Sequence, residues 1–321
     1  MSKKTIRIAN IESEPSTKKL EHLPVRLVNE TRTYLPVGIV NGSNDGPVLC
    51  LVAGHHGLEY AGIEAVIRTY KRANPKELHG AIITVPVVNV LGFQTRTPYL
   101  CPIDGVNIAR VYPGDANGSL SYVIAHIVLN DIIAKADYAM DCHGGDLFES
   151  VGPFTLFCNG VNDKAVVAKE EGMAKAHGLP YYAVQRFGMK LMEEAPKRGV
   201  PTLLAEIGGQ EWDGPSVDLH MVGIENVMKH LGMVKGTPKT QVVEDMSSHK
   251  EFDVRSRCGG IWYPQVKAGD KVSSGQVLGE IRDWDAEVKE TLHSPCSGIV
   301  HVLFTFHFVE PDSQIMRITS A

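Results

Sequence analysis

Short apolar runs that alternate with segments of helical spacing are the feature that most restricts the fold of this 321-residue chain. The runs VLCLVA, AIITVPVV, ADYAMDC, PFTLFC and VPTLLAEI have the length of buried strands. Apolar residues recur at helical intervals over residues 60–73, 119–134, 162–177 and 216–231. Strands that alternate with helices predict an α/β fold with a mostly parallel mixed sheet and helices on both faces.

Two segments depart from this pattern. Residues 24–42 alternate and break at polar positions, which predicts an antiparallel β-hairpin leading into the main sheet. After Gly232 the chain turns polar and then changes to short strands with glycine turns. We therefore predict a large domain at residues 1–235, which includes the hairpin, and a linker with a small all-β domain at residues 236–321.

The C-terminal segment resembles the hammerhead fold of biotinyl and lipoyl domains. Its strands and glycine turns lie in GGIWYPQVKAGDKVSSGQVLGEI and SPCSGIVHVLF. A carrier of this kind needs a modified lysine at a hairpin tip, but the resemblance puts Asp285 at that position and leaves Lys289 out of register. We predict a structural module without a modified lysine.

Composition excludes several classes of partner. The net charge of −5 is modest and no block of like charges occurs, so no nucleic-acid surface is expected. No apolar run approaches the roughly 20 residues that cross a bilayer, and MSKKTIRIANIESEPSTKK lacks the apolar core of a secretory signal. The six cysteines include no C-x-x-C pair, which predicts free thiols. We expect a cytoplasmic protein without a membrane partner.

The stretch AGHHGLEYAG, residues 53–62, carries candidate metal ligands. His55 and His56 stand four and three residues before Glu59, directly after a predicted buried strand. A catalytic zinc typically takes three nitrogen or carboxylate ligands and leaves one position for water. Because α/β sheets bind their ligands at the carboxyl ends of strands, this loop can form part of such a site.

Two further strand ends carry matching residues. In ADYAMDCHGGD, His143 follows the apolar run, and Asp141 either orients a ligand or packs locally. In VPTLLAEIGGQ, Glu206 ends a third strand. An acid within an apolar run is costly unless it is paired or functional, so Glu206 is either a general base or a carboxylate that caps a turn. The histidines on predicted helices read as packed residues without catalytic roles: His126, His177, His220 and His230.

The order H-x-x-E, D-x-H and isolated Glu resembles the aspartoacylase and succinylglutamate desuccinylase branch of the zinc carboxypeptidases. The resemblance covers about residues 24–230 and extends to the hammerhead that some bacterial members carry. Its G-x-H-G-x-E pattern selects His56 over His55. It therefore implies one Zn²⁺ per subunit, held by His56, Glu59 and His143, with Glu206 as the general base.

The same resemblance implies two functional arginines. Arg96, in NVLGFQTRTPYL, corresponds to the residue that helps polarise the scissile carbonyl, and Arg110, in DGVNIARVYPG, to the one that grips a substrate carboxylate. Without the resemblance, surface ion pairs explain both arginines equally well. This chain departs from the family at Ala109, where Asn is common. The carboxylate is then held more weakly, held differently or absent, unless Asn107 compensates in binding substrate.

The resemblance implies a zinc-dependent amidohydrolase that removes a small acyl group from a small-molecule N-acyl amino acid or related amine. Two alternatives stay open. Ala109 favours a carboxypeptidase or a deacylase of another amide, and the altered position also allows a non-catalytic binding protein that uses the hammerhead for assembly. We expect a homo-oligomer, in which the hammerhead either covers the site of a neighbouring subunit or stabilises the assembly.

Overall fold

A computed structural model describes residues 5–25, 33–160, 163–185 and 190–321. The strands are β1 Ile6–Ile8, β2 Ile11–Ser13, β3 Thr17–Val25, β4 Thr33–Asn41, β5 Asn44–Ala53, β6 His79–Val85, β7 Tyr138–His143, β8 Glu149–Cys158, β9 Tyr181–Gln185, β10 Thr202–Gly208, β11 Glu244–Asp245, β12 Glu251–Arg255, β13 Gly260–Pro264, β14 Lys271–Val272, β15 Val277–Arg282, β16 Val288–His293, β17 Gly298–Phe304, β18 Phe308–Val309 and β19 Gln314–Ser320. The α-helices are α1 Tyr60–Arg72, α2 Val90–Thr95, α3 Leu120–His126, α4 Lys164–His177, α5 Lys190–Glu194 and α6 Pro215–His230.

The centre of the main sheet consists of four parallel strands in the order β10-β7-β5-β6. Antiparallel strands flank them, β8 beyond β10 and β4 with β3 beyond β6. Helices α1, α4 and α6 bury apolar residues against one face of the sheet, and α3 and α5 pack into a second core cluster on the other. This architecture confirms the predicted α/β fold with a mixed sheet between helical layers.

The segment predicted as one helix over residues 119–134 changes its winding. After α3, residues 127–132 form π-helical turns and residues 133–135 a 3₁₀ turn. Its buried residues repeat every four positions: Leu120, Ser121, Ile124, Ala125, Val128, Leu129, Ile132 and Ile133. A period of four exceeds the 3.6 residues of an α-helical turn, so wider turns keep this stripe facing the core.

The predicted N-terminal hairpin is present. Strands β3 and β4 pair antiparallel from Thr17 opposite Asn41 to Val25 opposite Thr33. Residues 26–32, which join the two strands, lie outside the described residues. The hairpin forms one edge of the main sheet through the pairing of β4 with β6.

The C-terminal region is all β, as predicted, but its strands are divided between two sheets. Strands β16, β15, β13 and β18 form a four-stranded sheet, and a turn over residues 283–287, which includes Asp285, joins β15 to β16. Strands β17, β19 and β12 instead extend the main sheet, because β17 pairs antiparallel with β8 and places Phe304 opposite Glu149. The domain boundary at residue 235 stays a prediction, since the sheet runs continuously across it.

The remaining sequence expectations concern membranes and cysteines. No helix among the described ranges combines the length and apolar character needed to span a bilayer. All six cysteines are free thiols, and four of them are buried: Cys50, Cys101, Cys142 and Cys158.

Candidate metal centre and active site

The predicted metal ligands meet at the carboxyl edge of the parallel strands. Strands β5 and β7 are neighbours, with Ala53 in register with Cys142. The loop after β5 carries His56 and Glu59, and Glu59 is the residue that precedes α1. His143 is the last residue of β7. Parallel pairing thus brings together residues that are more than eighty positions apart in the chain.

Three potential ligand atoms converge in this place. The Nδ1 atom of His56 lies 2.5 Å from Oε1 of Glu59, and Nδ1 of His143 lies 2.8 Å from Oε2 of the same carboxylate. The Oε2 atom of Glu59 is buried, and its short contact with Nδ1 of His143 lacks the geometry of a hydrogen bond. A buried carboxylate oxygen in this condition is costly unless a cation satisfies it, so the residues fit a bound metal ion.

The opposite nitrogens of the two imidazoles face oxygen atoms. Nε2 of His143 is 3.1 Å from Oδ2 of Asp141, and Nε2 of His56 is 3.3 Å from Oδ1 of Asn107. A proton on each Nε2 leaves both Nδ1 lone pairs free to bind metal. Metal-binding histidines commonly hold their second nitrogen against a carboxylate or carbonyl in this way. Asp141 therefore lies beside His143 at ion-pair distance, but Nε2 of His143 forms no hydrogen bond of normal geometry with a described residue.

A second set of metal-binding side chains shares His143 with the first. It consists of His55, Asp141 and His143, and all three are buried. Nδ1 of His55 is 3.1 Å from Oδ1 of Asp141, while its Nε2 is 2.6 Å from the hydroxyl of Tyr112. Both nitrogens of His55 have protein partners, as do both nitrogens of His56, so the two histidines differ in burial rather than in hydrogen bonding. His56, in contrast, is partly exposed and can share its ion with a substrate.

The pKa values of the ligand network reflect its mixed charges. Burial raises the pKa of Glu59, but His56 and His143 outweigh burial and lower it to about 2. Burial also opposes ionisation of Asp141, yet His143 and His55 hold its pKa below the usual value. Burial lowers the pKa of His143, and Asp141 and Glu59 more than reverse this and raise it. Two buried carboxylates thus demand a positive charge, which a metal ion can supply in place of a proton.

Glu206 stands next to this network on β10. It is in parallel register with His143, one strand further along the sheet. Burial raises its pKa well above the usual value, and the carboxylates of Glu59, Asp141 and Glu149 add to the effect, while His143 opposes it. The residue as a whole is only partly buried. An acid with a raised pKa beside a metal centre is suited to proton transfer.

The predicted arginines lie further out. Arg96 follows α2 in a left-handed conformation with φ of 58°, and its exposed side chain forms no hydrogen bond or ion pair with a described residue. Arg110 ends the 3₁₀ turn Ile108–Arg110 and is also exposed. Among the described residues, the Arg96 guanidinium therefore contacts none of the candidate metal ligands.

Asn107 lies between these arginines and the metal ligands. Its Oδ1 atom faces His56 and also accepts a hydrogen bond of 3.0 Å from the backbone N–H of Ala109. Ala109 is buried in the 3₁₀ turn. The side-chain oxygen of Asn107 is thus already used to hold a ligand and the turn, and its predicted substrate contact stays a prediction.

Several residues near the ligands were not singled out from the sequence. The ring of Tyr99 packs edge-on against His56 at 5.5 Å between centroids, and its N–H donates to Oδ2 of Asp146 over 2.9 Å. Burial, followed by the charge of Glu149 at the start of β8, raises the pKa of the Tyr99 hydroxyl. Helical spacing predicts His220 as a packed residue. It is buried in α6, with Nε2 3.0 Å from the carbonyl oxygen of His143.

The sequence gives only weak indications of these residues. Tyr99 and Asp146 lie within the stretches RTPYL and CHGGD that drew attention for Arg96 and His143, but neither carries a recognisable spacing of its own. Glu149 lies beyond that stretch and has no motif. Only the folded chain places them beside His56.

Histidine and glutamate side chains lie at the ends of parallel strands in this α/β sheet, and a further acid lies beside them. This arrangement is typical of the active sites of hydrolases. Residues 45–231 match the family model of the succinylglutamate desuccinylase/aspartoacylase catalytic domain. This match covers more than half of the chain, and the chain therefore belongs to that family. Both activities in the family description are hydrolyses of an amide bond, so the family indicates an amide hydrolase.

Individual relatives support the same assignment. The chain is 32% identical over 260 residues to the N-alpha-acetyl-L-2,4-diaminobutyric acid deacetylase of Halomonas elongata. The aligned region covers 78% of this chain and 74% of that protein. A succinylglutamate desuccinylase/aspartoacylase structure from Rhodobacter sphaeroides is 27% identical with a TM-score of 0.81, covering 94% of this chain and 95% of that one. The product-bound ectoine utilization protein EutE (DoeB) of Ruegeria pomeroyi, 21% identical, shares the fold with a TM-score of 0.83 over 97% and 98% of the two chains.

Proposed function

We propose that this protein is a Zn²⁺-dependent deacylase that hydrolyses the amide bond of an N-acyl amino acid or a related amine and releases a small acyl group. One observation carries the proposal. Nδ1 of His56, the carboxylate of Glu59 and Nδ1 of His143 converge, and Glu206 is in register with His143 on the next strand.

The donor set favours zinc. Two imidazole nitrogens and one carboxylate are a common ligand set of hydrolytic zinc sites, in which the fourth position stays open. The partly exposed side of His56 provides that open position. An ion bound there supplies a water molecule of lowered pKa and polarises the amide carbonyl.

Glu206 moves the protons of the reaction. As a base it takes a proton from the attacking water, and as an acid it delivers that proton to the nitrogen of the leaving amine. Burial raises the pKa of Glu206, and a raised pKa makes the protonated carboxyl group a weaker acid but its carboxylate a better base for the attacking water. Its position beside His143 keeps both transfers within one site.

The arginines contribute at the outer side of the site. Arg96 supplies a cationic donor for the developing oxyanion, and Arg110 binds a substrate carboxylate. Both lie on the segment that Tyr99 and Asn107 attach to His56. This attachment supports their participation.

The acyl group is best proposed as acetyl. The relative from Halomonas elongata is a deacetylase, and its similarity covers most of both chains. Asn is common in the family where this chain has Ala109, so the amine product can differ from that of other members. A panel of N-acetyl and N-succinyl amino acids, N-acetylated diamines and C-terminal dipeptides ranks the possible substrates by kcat/KM.

A Glu206→Gln variant tests the assignment. We expect kcat to fall by about 10²–10⁴-fold, the usual contribution of general acid–base catalysis, while the zinc content per chain stays unchanged. The matched control is Glu171→Gln, which alters a surface ion pair with Lys175 on α4 and should keep full activity. Full activity of Glu206→Gln would overturn its role, and a wild-type protein that binds no metal would instead support a non-catalytic binding protein.

A further inference from the structure

Residues 96–100 form a bend after α2, and two of them have an unusual backbone conformation. Arg96 has a φ of 58° and Tyr99 has a φ of 54°, both in the left-handed region. Residues with a Cβ atom rarely adopt this region, because the Cβ comes too close to the following carbonyl oxygen. Such conformations persist only where the surrounding structure holds them, and they cluster at functional sites. The conformation of Tyr99 therefore directs attention to what holds it and what its ring contacts.

A buried carboxylate holds the backbone of Tyr99. Oδ2 of Asp146 accepts a hydrogen bond of 2.9 Å from the backbone N–H of Tyr99, while Oδ1 accepts from the N–H of Leu147. Asp146 is fully buried. Its neighbour Gly145 donates its N–H to the carbonyl oxygen of Gly208, the last residue of β10, over 2.8 Å. The loop after His143 and the end of β10 thus fix the carboxylate that holds Tyr99.

The bend is also held from the side of α2. The side chain of Asn89 donates through Nδ2 to the carbonyl oxygen of Leu100 over 3.1 Å, and its Oδ1 accepts from the N–H of Gly92 over 2.9 Å. The N–H of Thr97 donates to the carbonyl oxygen of Gly92 over 2.9 Å. Because the backbone is hydrogen-bonded before, at and after Tyr99, the side chain of Tyr99 leaves the bend in a defined direction.

That direction brings the Tyr99 ring against a proposed metal ligand. The centroids of the Tyr99 and His56 rings are 5.5 Å apart, and their planes make an angle of 71°. This is the edge-to-face arrangement, which stabilises aromatic pairs beyond the burial of their surface. The contact restricts rotation of the His56 imidazole.

The two histidine ligands differ in how firmly other side chains hold them. The ring of His143 is buried and stacks on His55, with centroids 5.4 Å apart and planes at 6°. His56 is partly exposed, and its Nε2 atom lies 3.3 Å from Oδ1 of Asn107, which is long for a hydrogen bond. A metal site needs each ligand held in its binding orientation. For His56, the ring of Tyr99 supplies a constraint that burial supplies for His143.

We propose that Tyr99 is a positioning residue for His56: its ring fixes the orientation of the imidazole that binds the metal ion, and Asp146 holds the left-handed backbone that places the ring there. This inference rests on the zinc site of the proposed function. Tyr99 contributes its ring rather than its hydroxyl group, and it acts on the reaction only through His56.

Zinc affinity of the full-length protein, measured in competition with a chelator, tests the proposal. Tyr99→Gly removes the ring and fits the left-handed backbone, so the bend keeps its course. We expect its zinc affinity to fall by about 10-fold, the lower end of the range for residues that orient a metal ligand. Tyr99→Phe keeps the ring and should bind zinc as tightly as the wild type. Urea unfolding of the metal-free variants verifies that each of them is folded.

Ala286→Gly is the matched control. Ala286 also has a left-handed backbone, with a φ of 64°, but it lies in the turn between β15 and β16. This substitution should leave zinc affinity unchanged. Wild-type affinity in a folded Tyr99→Gly variant would overturn the inference, and so would an equal loss of affinity in Tyr99→Gly and Tyr99→Phe, since the hydroxyl group would then carry the effect.

Asp146→Asn tests the second part of the proposal. Its single amide oxygen cannot accept from both N–H groups, so zinc affinity should fall in the wild-type background. The loss should be smaller in the Tyr99→Gly background, because residues that act through one another have non-additive effects. Equal losses in both backgrounds would overturn the role of Asp146.

These measurements separate this inference from the proposed function. A wild-type protein that binds zinc but hydrolyses no N-acyl substrate overturns the deacylase proposal, and the zinc affinities of the variants still decide the role of Tyr99. A wild-type protein that binds no zinc overturns both.

Discussion

Two sets of side chains share His143, and the contrast between them explains how the site is built. The set of His56 and Glu59 is partly exposed and contains a buried carboxylate oxygen whose short contact with His143 lacks the geometry of a hydrogen bond. In the set of His55 and Asp141, every member is buried, and both nitrogens of His55 have protein partners. Residue types alone would make either set a metal site.

The two sets differ chiefly in exposure, because His56 is partly exposed whereas His55 is fully buried. Asp141 uses one oxygen for His55 and the other for His143, so it links the two sets. In this arrangement Nδ1 of His143 lies toward Glu59. If the open set binds a metal ion, the buried set is placed to orient His143, as outer residues around a metal commonly do.

The largest expected effect comes from replacing the two adjacent histidines separately. His56→Ala should abolish stoichiometric zinc binding and activity, because it removes one of three ligands. His55→Ala should still bind zinc, but its unfolding free energy should fall by about 1–3 kcal/mol, since buried partners lose a hydrogen bond. Metal analysis and denaturant unfolding measure the two outcomes. The reverse pattern would identify His55 as the ligand and contradict the roles assigned to the two sets.

A smaller effect is expected at the residue that links the two sets. Asp141→Asn keeps the size of the side chain but removes the charge that holds His143. We expect zinc affinity to fall by about 10–100-fold in competition with a chelator, as is typical for such outer residues. The control is Asp137→Asn. Asp137 lies just before β7, and its carboxylate accepts a hydrogen bond from the backbone N–H of Val48. Equal affinity in both variants would show that Asp141 only packs locally.

The smallest effect concerns His177, a buried histidine outside both sets. Neither of its nitrogens has a hydrogen-bond partner within the described ranges, and burial, followed by the charge of His220, lowers its pKa to about 3. Between the ordinary histidine value of 6.5 and this lowered pKa, the unfolded chain binds more protons than the folded chain. Stability therefore falls as the pH falls through this window.

Replacing His177 by Leu should flatten that dependence by up to about 1.4 kcal/mol per pH unit. Urea unfolding of the variant and the wild type at several values between about pH 7 and pH 5 measures the change. Comparing the two proteins at each pH cancels the effect of protonating the metal ligands, which both contain. Parallel stability curves would mean that His177 is not held neutral in the folded chain.

Much of the fold followed from the sequence, because apolar periodicity reports directly on burial. The strands that carry His56, His143 and Glu206 were predicted, as were the helices around them. The winding of residues 127–135 was not, since a four-residue apolar period departs only slightly from that of an α-helix. The C-terminal strands were expected to form a separate module, but the pairing of β17 with β8 depends on edges that meet only in the folded chain.

The residues of the candidate site also fall into two groups, those that the sequence predicts and those that it does not. Histidine and glutamate at strand ends can be found in a sequence because the ends of parallel strands meet at one edge of the sheet. Tyr99 and Glu149 lie on separate loops, and no spacing relates them to each other or to His56. The exposure of Arg96 and Arg110 could not be predicted from the sequence either, since the resemblance assigns roles without giving side-chain directions.

The sequence by itself determined the alternating layers and the kinds of donor atoms at three strand ends, because both depend on local patterns. Only the tertiary structure shows that the two adjacent histidines turn in different directions. His55 turns into the core toward Asp141 and Tyr112, while His56 turns toward Glu59 and the open side of the site. Which nitrogen faces which oxygen depends on side chains that are distant in the sequence and come together only when the sheet forms.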